Sequence, residues 1–207
     1  MSRATLAVIL SRLATFKEPD TKLEQYATPS EAAATILWDA HTRGLLAGRN
    51  IIDLGAGTGI LGIGALILGA NVTFVEKDKR QKTVIEENLS LASKIVGRTL
   101  PGWSIIIADA ARDELPRADL VITNPPFGTK ERHADTAFLE AAYSVSDECY
   151  SFHKTSTDEY LDKWLGSKGI ATTERFRFTF SLGKTMRQHE KQGHDVAITC
   201  RHTRKDL

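Results

Sequence analysis

An alternation of two periodicities between residues 50 and 165 constrains this chain more than any other feature. Asn50–Leu54 (NIIDL), Val72–Glu76 (VTFVE), Ser104–Ile107 (SIII) and Leu120–Asn124 (LVITN) are short, β-branched and almost wholly apolar. Strands read this way when both faces of a parallel sheet are covered. Ile60–Leu68 and Lys79–Ile95 between them, then Thr136–Ser146 and Thr157–Leu165, carry apolar residues at helical spacing. Strand alternating with helix predicts βαβ units and an open, twisted parallel sheet. Glu174–Leu182 and Val196–Arg201 break that rhythm, with no long helix between them, and predict an antiparallel pair at the sheet edge. Upstream, Thr5–Thr15 and Ser30–Arg43 predict two helices joined by the loop Phe16–Pro29. A chain of 207 residues, 42% hydrophobic and without repeat or low-complexity linker, is expected to form one α/β domain. Residues 1–49 would be a helical cap and residues 50–207 the core.

Composition excludes several classes. Charged residues make up 26% with no long run of one sign, which excludes global disorder. No apolar stretch reaches the ~18 residues of a membrane span. Met1-Ser2-Arg3-Ala4 leads into an amphipathic pattern broken by Arg12, unlike a signal core. Cys149 and Cys200 lie far apart and form no CxxC, so no metal site or disulfide framework is expected and a reducing cytoplasm fits. His133, His153 and His189 have no carboxylates at ligand spacing. The net charge of +1 divides into +1 over residues 1–50, −5 over 51–164 and +5 over 165–207. The basic last quarter predicts either a negatively charged partner or a solvated basic face.

Asp53-Leu54-Gly55-Ala56-Gly57-Thr58-Gly59 follows a strand and opens a helix. Glycines there permit a sharp turn and close approach of a ligand, and amides at the helix start are free donors. Glu76 lies 21 positions after Gly55, at the end of the next strand, where a carboxylate can accept from both hydroxyls of a ribose. Gly57–Gly62 also satisfies GxGxxG, so a dinucleotide is a rival ligand. Asp53 would repel a pyrophosphate but suits a cationic amino-acid moiety, and Asp109, past the third strand, is placed to accept from an adenine amino group. Those features favour S-adenosylmethionine over a nicotinamide cofactor.

Asn124-Pro125-Pro126-Phe127 follows the fourth strand, at the carboxyl edge where open α/β sheets bind ligands. Two prolines stiffen the backbone and remove donors. The Asn124 amide oxygen and the Pro125 carbonyl can accept both hydrogens of an exocyclic –NH₂. Its delocalised lone pair is thereby drawn toward tetrahedral geometry and aimed at a methyl donor, with no strong base required. Phe127 offers a face on which a planar target can stack. Lys130, Arg132 and His133 would meet phosphates beside a flipped base. His153 and Lys154, at the end of the fifth strand, would contact the target nucleotide.

Asp-Leu-Gly-x-Gly-x-Gly with Asn-Pro-Pro-Phe resembles the class I S-adenosylmethionine-dependent amino methyltransferases. Leu23-Glu24-Gln25-Tyr26-x-Thr28, Asn124–Lys130, Asp135-x-Ala137-Phe138-Leu139 and Tyr150–Lys154 are similar, more narrowly, to the methyltransferase-like family that N6-methylates one adenine of small-subunit ribosomal RNA. The resemblance runs from about residue 11 to the C-terminal strand. It implies a Rossmann-like fold with a seven-stranded, mostly parallel sheet, an antiparallel edge hairpin and an N-terminal helical extension. Gln25 and Thr28 would cover the cofactor. Gly55, Gly57 and Gly59, with Asp53, Thr58 and Ile60, would lie along its methionine part, Glu76 on its ribose, Asp109 at its adenine and Asn124 beside the methyl. Arg187, His189 and Lys191 stand where the family carries a basic, RNA-gripping turn, from which this chain departs with Glu190 and no Phe before His189. Eukaryotic members work with a small zinc-containing activator that shields an exposed edge. Rival readings are methylation of a protein glutamine amide or of guanine N2, a non-catalytic RNA-binding or scaffolding module, and a nicotinamide-dependent dehydrogenase, which leaves Asn-Pro-Pro-Phe unexplained.

Overall fold

A computed structural model describes residues 1–16, 27–100, 102–110, 112–126, 134–182 and 194–205. Its elements follow the predicted alternation: α1 (Arg3–Leu10), α2 (Ser30–Thr42), β1 (Asn50–Leu54), α3 (Ile60–Ile67), β2 (Asn71–Glu76), α4 (Gln81–Val96), β3 (Trp103–Ile107) and β4 (Leu120–Thr123). There follow α5 (Ala134–Val145), β5 (Glu148–Lys154), α6 (Asp158–Ser167), β6 (Ile170–Leu182) and β7 (His194–Lys205). The seven strands form one sheet in the order β3-β2-β1-β4-β5-β7-β6. β1 through β5 pair in parallel, and β7 inserts antiparallel between β5 and β6.

Successive strand residues point to opposite faces, and two apolar cores result. One gathers Ile51, Phe74, Ile122, Phe152 and Ile198 under α1, α2, α3 and α4. The other gathers Ile52, Val75, Val121 and Cys149 under α5 and α6. Helix α3 (ILGIGALI) is apolar all round because it is enclosed all round. It lies so close to the sheet that a Cβ on Gly62 would collide with the ring of Phe74. Helices α1 and α2 contribute Leu6, Leu10, Ile36 and Leu37 to the same core as the sheet.

Four boundaries stand apart from expectation. Helix α1 starts at Arg3, where the Ser2 hydroxyl caps it by accepting from the Thr5 amide. It ends at Leu10 rather than Thr15, and the Ala14 backbone is instead bonded to the side chain of Asn88. Strand β7 continues through the polar run Arg201–Lys205, because partners on both sides satisfy its backbone. Strand β6 starts at Ile170, with a register shift between Thr172 and Glu174. Among the described residues no helix is long and apolar enough to cross a membrane.

Candidate active site

The carboxyl ends of β1, β2, β4 and β5 bring the sequence-predicted groups to one edge of the sheet. After β1 the chain turns through Gly55, Gly57 and Gly59, at φ of +71°, +55° and +84°. The Gly55 and Ala56 amides donate to the Val75 carbonyl at 2.9 and 3.0 Å, which ties the loop to β2. Aromatic rings occupy the space that side chains would fill here. A Cβ on Gly55 would stand 2.9 Å from Cε1 of Phe138, and one on Gly57 would stand 2.8 Å from Cζ of Phe16. Ile60 is the first residue of α3, and Thr58 is buried.

Asp53, at the end of β1, is 1% exposed, and its Oδ2 accepts from the Gly62 amide at 2.8 Å. Helix α3 begins after Gly59 without a side-chain cap, so this carboxylate satisfies an amide of the first turn that the helix leaves free. Burial pushes the Asp53 carboxyl up to about 8, with the nearby charge of Glu76 adding to the rise. A carboxyl raised above its unfolded value favours folding most at low pH, and that contribution is lost as pH climbs to 8. Replacing Asp53 by Asn keeps an acceptor for Gly62 and removes the titration. The variant is expected to gain on the wild type between pH 5 and pH 8 by at least ~1 kcal/mol. Thermal melts across that range check it; parallel profiles would show that the buried charge costs nothing.

Glu76, at the end of β2, accepts from the Gly57 amide at 2.7 Å through Oε2 and from the Asp78 amide at 2.8 Å through Oε1. Burial raises this carboxyl, and the two amides oppose the rise. Beyond β3, Asp109 accepts from Lys77 Nζ at 2.8 Å.

Asn124 follows β4 directly. Its Nδ2 donates to the Thr28 hydroxyl at 2.9 Å, while its Oδ1 is buried and has no hydrogen-bond partner among the described residues. Thr28 fixes the plane of the amide and leaves its acceptor aimed elsewhere. Such an atom is costly to leave unpaired, so its partner is expected to be a donor on a ligand. Pro125 is buried and Pro126 half-buried. On β5, two residues past the Ser151 that pairs with Thr123, lies His153. The ring is buried and both nitrogens are unpartnered among the described residues. Burial, then the charge of Arg201, lowers it to about 3. His153 is therefore neutral at physiological pH and offers hydrogen bonds rather than charge; Lys154 beside it is half-buried. Gln25, Phe127, Lys130, Arg132, Arg187, His189 and Lys191 lie outside the described residues.

Sequence reasoning passed over Asn88 and Phe16. Asn88 is 1% exposed on the apolar face of α4, and every polar atom of its amide is used. Oδ1 accepts from the Ala14 amide at 2.7 Å, and Nδ2 donates to the Ala14 and Thr58 carbonyls at 3.0 and 2.9 Å. A polar residue on the stripe Val84, Ile85, Asn88, Leu89, Ala92 was a readable signal.

The family described as the methyltransferase small domain matches residues 31–147, which span α2, the glycine loop, Glu76, Asn124 and α5. The chain belongs to that family. Related methyltransferases match over nearly the whole chain. The rRNA N(6)-adenosine-methyltransferase of Drosophila melanogaster is 30% identical over 88% of this chain and 87% of its own. That of Danio rerio is 28% identical over 96% of both chains. Among solved structures, PH1948 of Pyrococcus horikoshii superposes with a TM-score of 0.86 at 36% identity, covering 99% of this methyltransferase and 98% of that chain.

Proposed function

We propose that this methyltransferase takes a methyl from S-adenosylmethionine and places it on N6 of an adenine in structured RNA, small-subunit ribosomal RNA in particular. One observation carries the reading: the buried, unpartnered Oδ1 of Asn124, held in orientation by Thr28 at the carboxyl edge of the sheet. S-adenosylmethionine supplies an electrophilic methyl on a sulfonium. The chain's residues bind the donor, orient the target and accept hydrogen bonds from its amine, whose surplus proton leaves to water after the methyl has moved and the donor sulfur has become a neutral thioether. Glu76 takes the ribose hydroxyls on the lone pairs left over by the Gly57 and Asp78 amides, each of which is bonded to one of its oxygens. Asp109 meets the adenine of the cofactor, and Gly55, Gly57, Gly59, Thr58 and Ile60 line its methionine part. Asp53 serves that part indirectly, by anchoring Gly62. Gln25 and Thr28 cover the bound molecule.

Asn124 Oδ1 and the Pro125 carbonyl accept the two N6 hydrogens of the target, and Phe127 stacks on its ring. Positioning and electrostatics account for the acceleration. Neutral His153 offers the base a hydrogen bond, while Lys154, Lys130, Arg132, Arg187, His189 and Lys191 supply phosphate contacts. Residues 1–49 and 50–207 work as one catalytic unit in the cytoplasm, where the substrate is assembled or used. The deciding test incubates the protein with labelled S-adenosylmethionine and small-subunit RNA lacking the modification. Label in N6-methyladenosine supports the reading, and label only in protein or another nucleoside overturns it.

We propose further that a small zinc-containing activator, of the kind the family resemblance implies, would dock on the edge strand β3. Among the described residues that strand pairs with β2 alone, and Trp103 and Ile107 are 42% and 45% exposed on it, an edge of the kind partners add a strand to. Replacing Trp103 by Arg is expected to abolish any stimulation by cell extract while leaving unstimulated turnover within about 2-fold, since Trp103 opens β3 at the end of the strand away from Asp109. Equal stimulation of both proteins would remove the activator from β3.

A further inference from the structure

Phe16 is a half-buried aromatic residue that packs into neither apolar core. Its ring lies instead against Gly57, in the space a side chain would take. The placement is enforced from a distance. Asn88 clasps the Ala14 backbone by a donor and an acceptor together, and the same amide reaches the Thr58 carbonyl of the glycine loop. One fully satisfied, buried side chain thus ties the segment carrying Phe16 to the loop it covers. An apolar residue would fill that position on α4 with less desolvation, so the clasp is retained for what it positions.

We propose that Phe16 is a wall of the cofactor pocket and reads the positive charge of the sulfonium, so that the protein holds the methyl donor in preference to the demethylated product. The inference rests on S-adenosylmethionine being the donor. Gly57 belongs to the loop along which the methionine part of that molecule would run, and the Phe16 ring, whose Cζ end points at that glycine, carries the negative side of its quadrupole on the two faces beside that contact. A cation over such a face is stabilised, whereas a neutral thioether of the same shape is not. S-adenosylmethionine carries the cation and S-adenosylhomocysteine lacks it. Asn88 acts through Phe16 and is a positioning residue.

The test measures dissociation constants calorimetrically for S-adenosylmethionine, S-adenosylhomocysteine and sinefungin, which carries an ammonium near the sulfonium position. The variants are Phe16→Leu, which keeps an apolar cover without the quadrupole, and Asn88→Asp, which keeps the acceptor for Ala14 and loses both donations. In Phe16→Leu the two cationic ligands are expected to weaken about 5-fold and S-adenosylhomocysteine less than about 2-fold. Asn88→Asp should narrow the same preference. Equal weakening of all three ligands, or no change, overturns the charge reading while leaving the cofactor assignment in place. Failure of the wild type to bind any of them overturns both.

Discussion

Replacing Asn124 by Ala is expected to lower kcat about 10²- to 10³-fold while the affinity for S-adenosylmethionine stays within about 2-fold. The lost group is an acceptor aimed at the target nitrogen, and removing one positioned transition-state partner costs roughly 3–4 kcal/mol in comparable sites. Asn124 Oδ1 is buried and unpartnered among the described residues, and its amide is held in orientation through the Nδ2 bond to Thr28. Thr28 makes the effect separable. Thr28→Val leaves Asn124 present but takes away the acceptor for its Nδ2. It is expected to reduce kcat about 10-fold, the smaller loss of a correct group held less well. Single-turnover rates alongside cofactor titrations check both. An Asn124→Ala protein that turns over normally would rule out amide-assisted amine methylation here.

The second large effect concerns the buried charge behind the site. Arg201, on β7, has a side chain 1% exposed and forms ion pairs with Asp158 and Asp162 of α6. Its Nη2 also donates to the Asp158 carbonyl at 2.9 Å, and Thr199 donates to Asp158 Oδ2 at 3.1 Å while contacting Thr155. The network thereby fixes the turn that leaves β5 just after His153 and Lys154. The two carboxylates are partly in water, with side chains 19% and 45% exposed, but the guanidinium is not. Breaking the network from the two sides is therefore unequal. Asp158→Ala with Asp162→Ala strands a buried cation and is expected to cost about 3–5 kcal/mol. Arg201→Met removes the buried charge and leaves two carboxylates that water can reach, so it is expected to cost about 1–2 kcal/mol. Urea unfolding of both variants checks the ordering; the reverse order would mean that the guanidinium is solvated.

Most of the architecture was written locally. The β-branched runs of β1 to β4 and the helical stripes between them specify elements whose faces must both be covered, which leaves a parallel sheet few alternatives. The polar half of β7 was not legible, because Arg201–Lys205 are held in a strand by β5, β6 and the acids of α6, none of them near in sequence. The early end of α1 was hidden for a similar reason: Ala14 is claimed by an amide 74 residues away.

The site divides along the same line. Its motifs follow strands that the pattern locates, so the sequence by itself determined that Gly55–Gly59, Glu76 and Asn124 come to the carboxyl edge of one sheet. Side-chain direction was decided only in the tertiary structure. Asp53 turns to the Gly62 amide because it is sealed inside the sheet end, where an unbonded carboxylate would be costly. Gly55 and Gly57 leave room for Phe138 and Phe16, rings from segments far off in the chain. His153, a candidate nucleotide contact in the sequence, is neutral because burial and Arg201 oppose its protonation. Periodicity and motif spacing are short-range properties of a chain. Desolvation and contact partners are set by everything that packs around a group, and they exist only once the chain has folded.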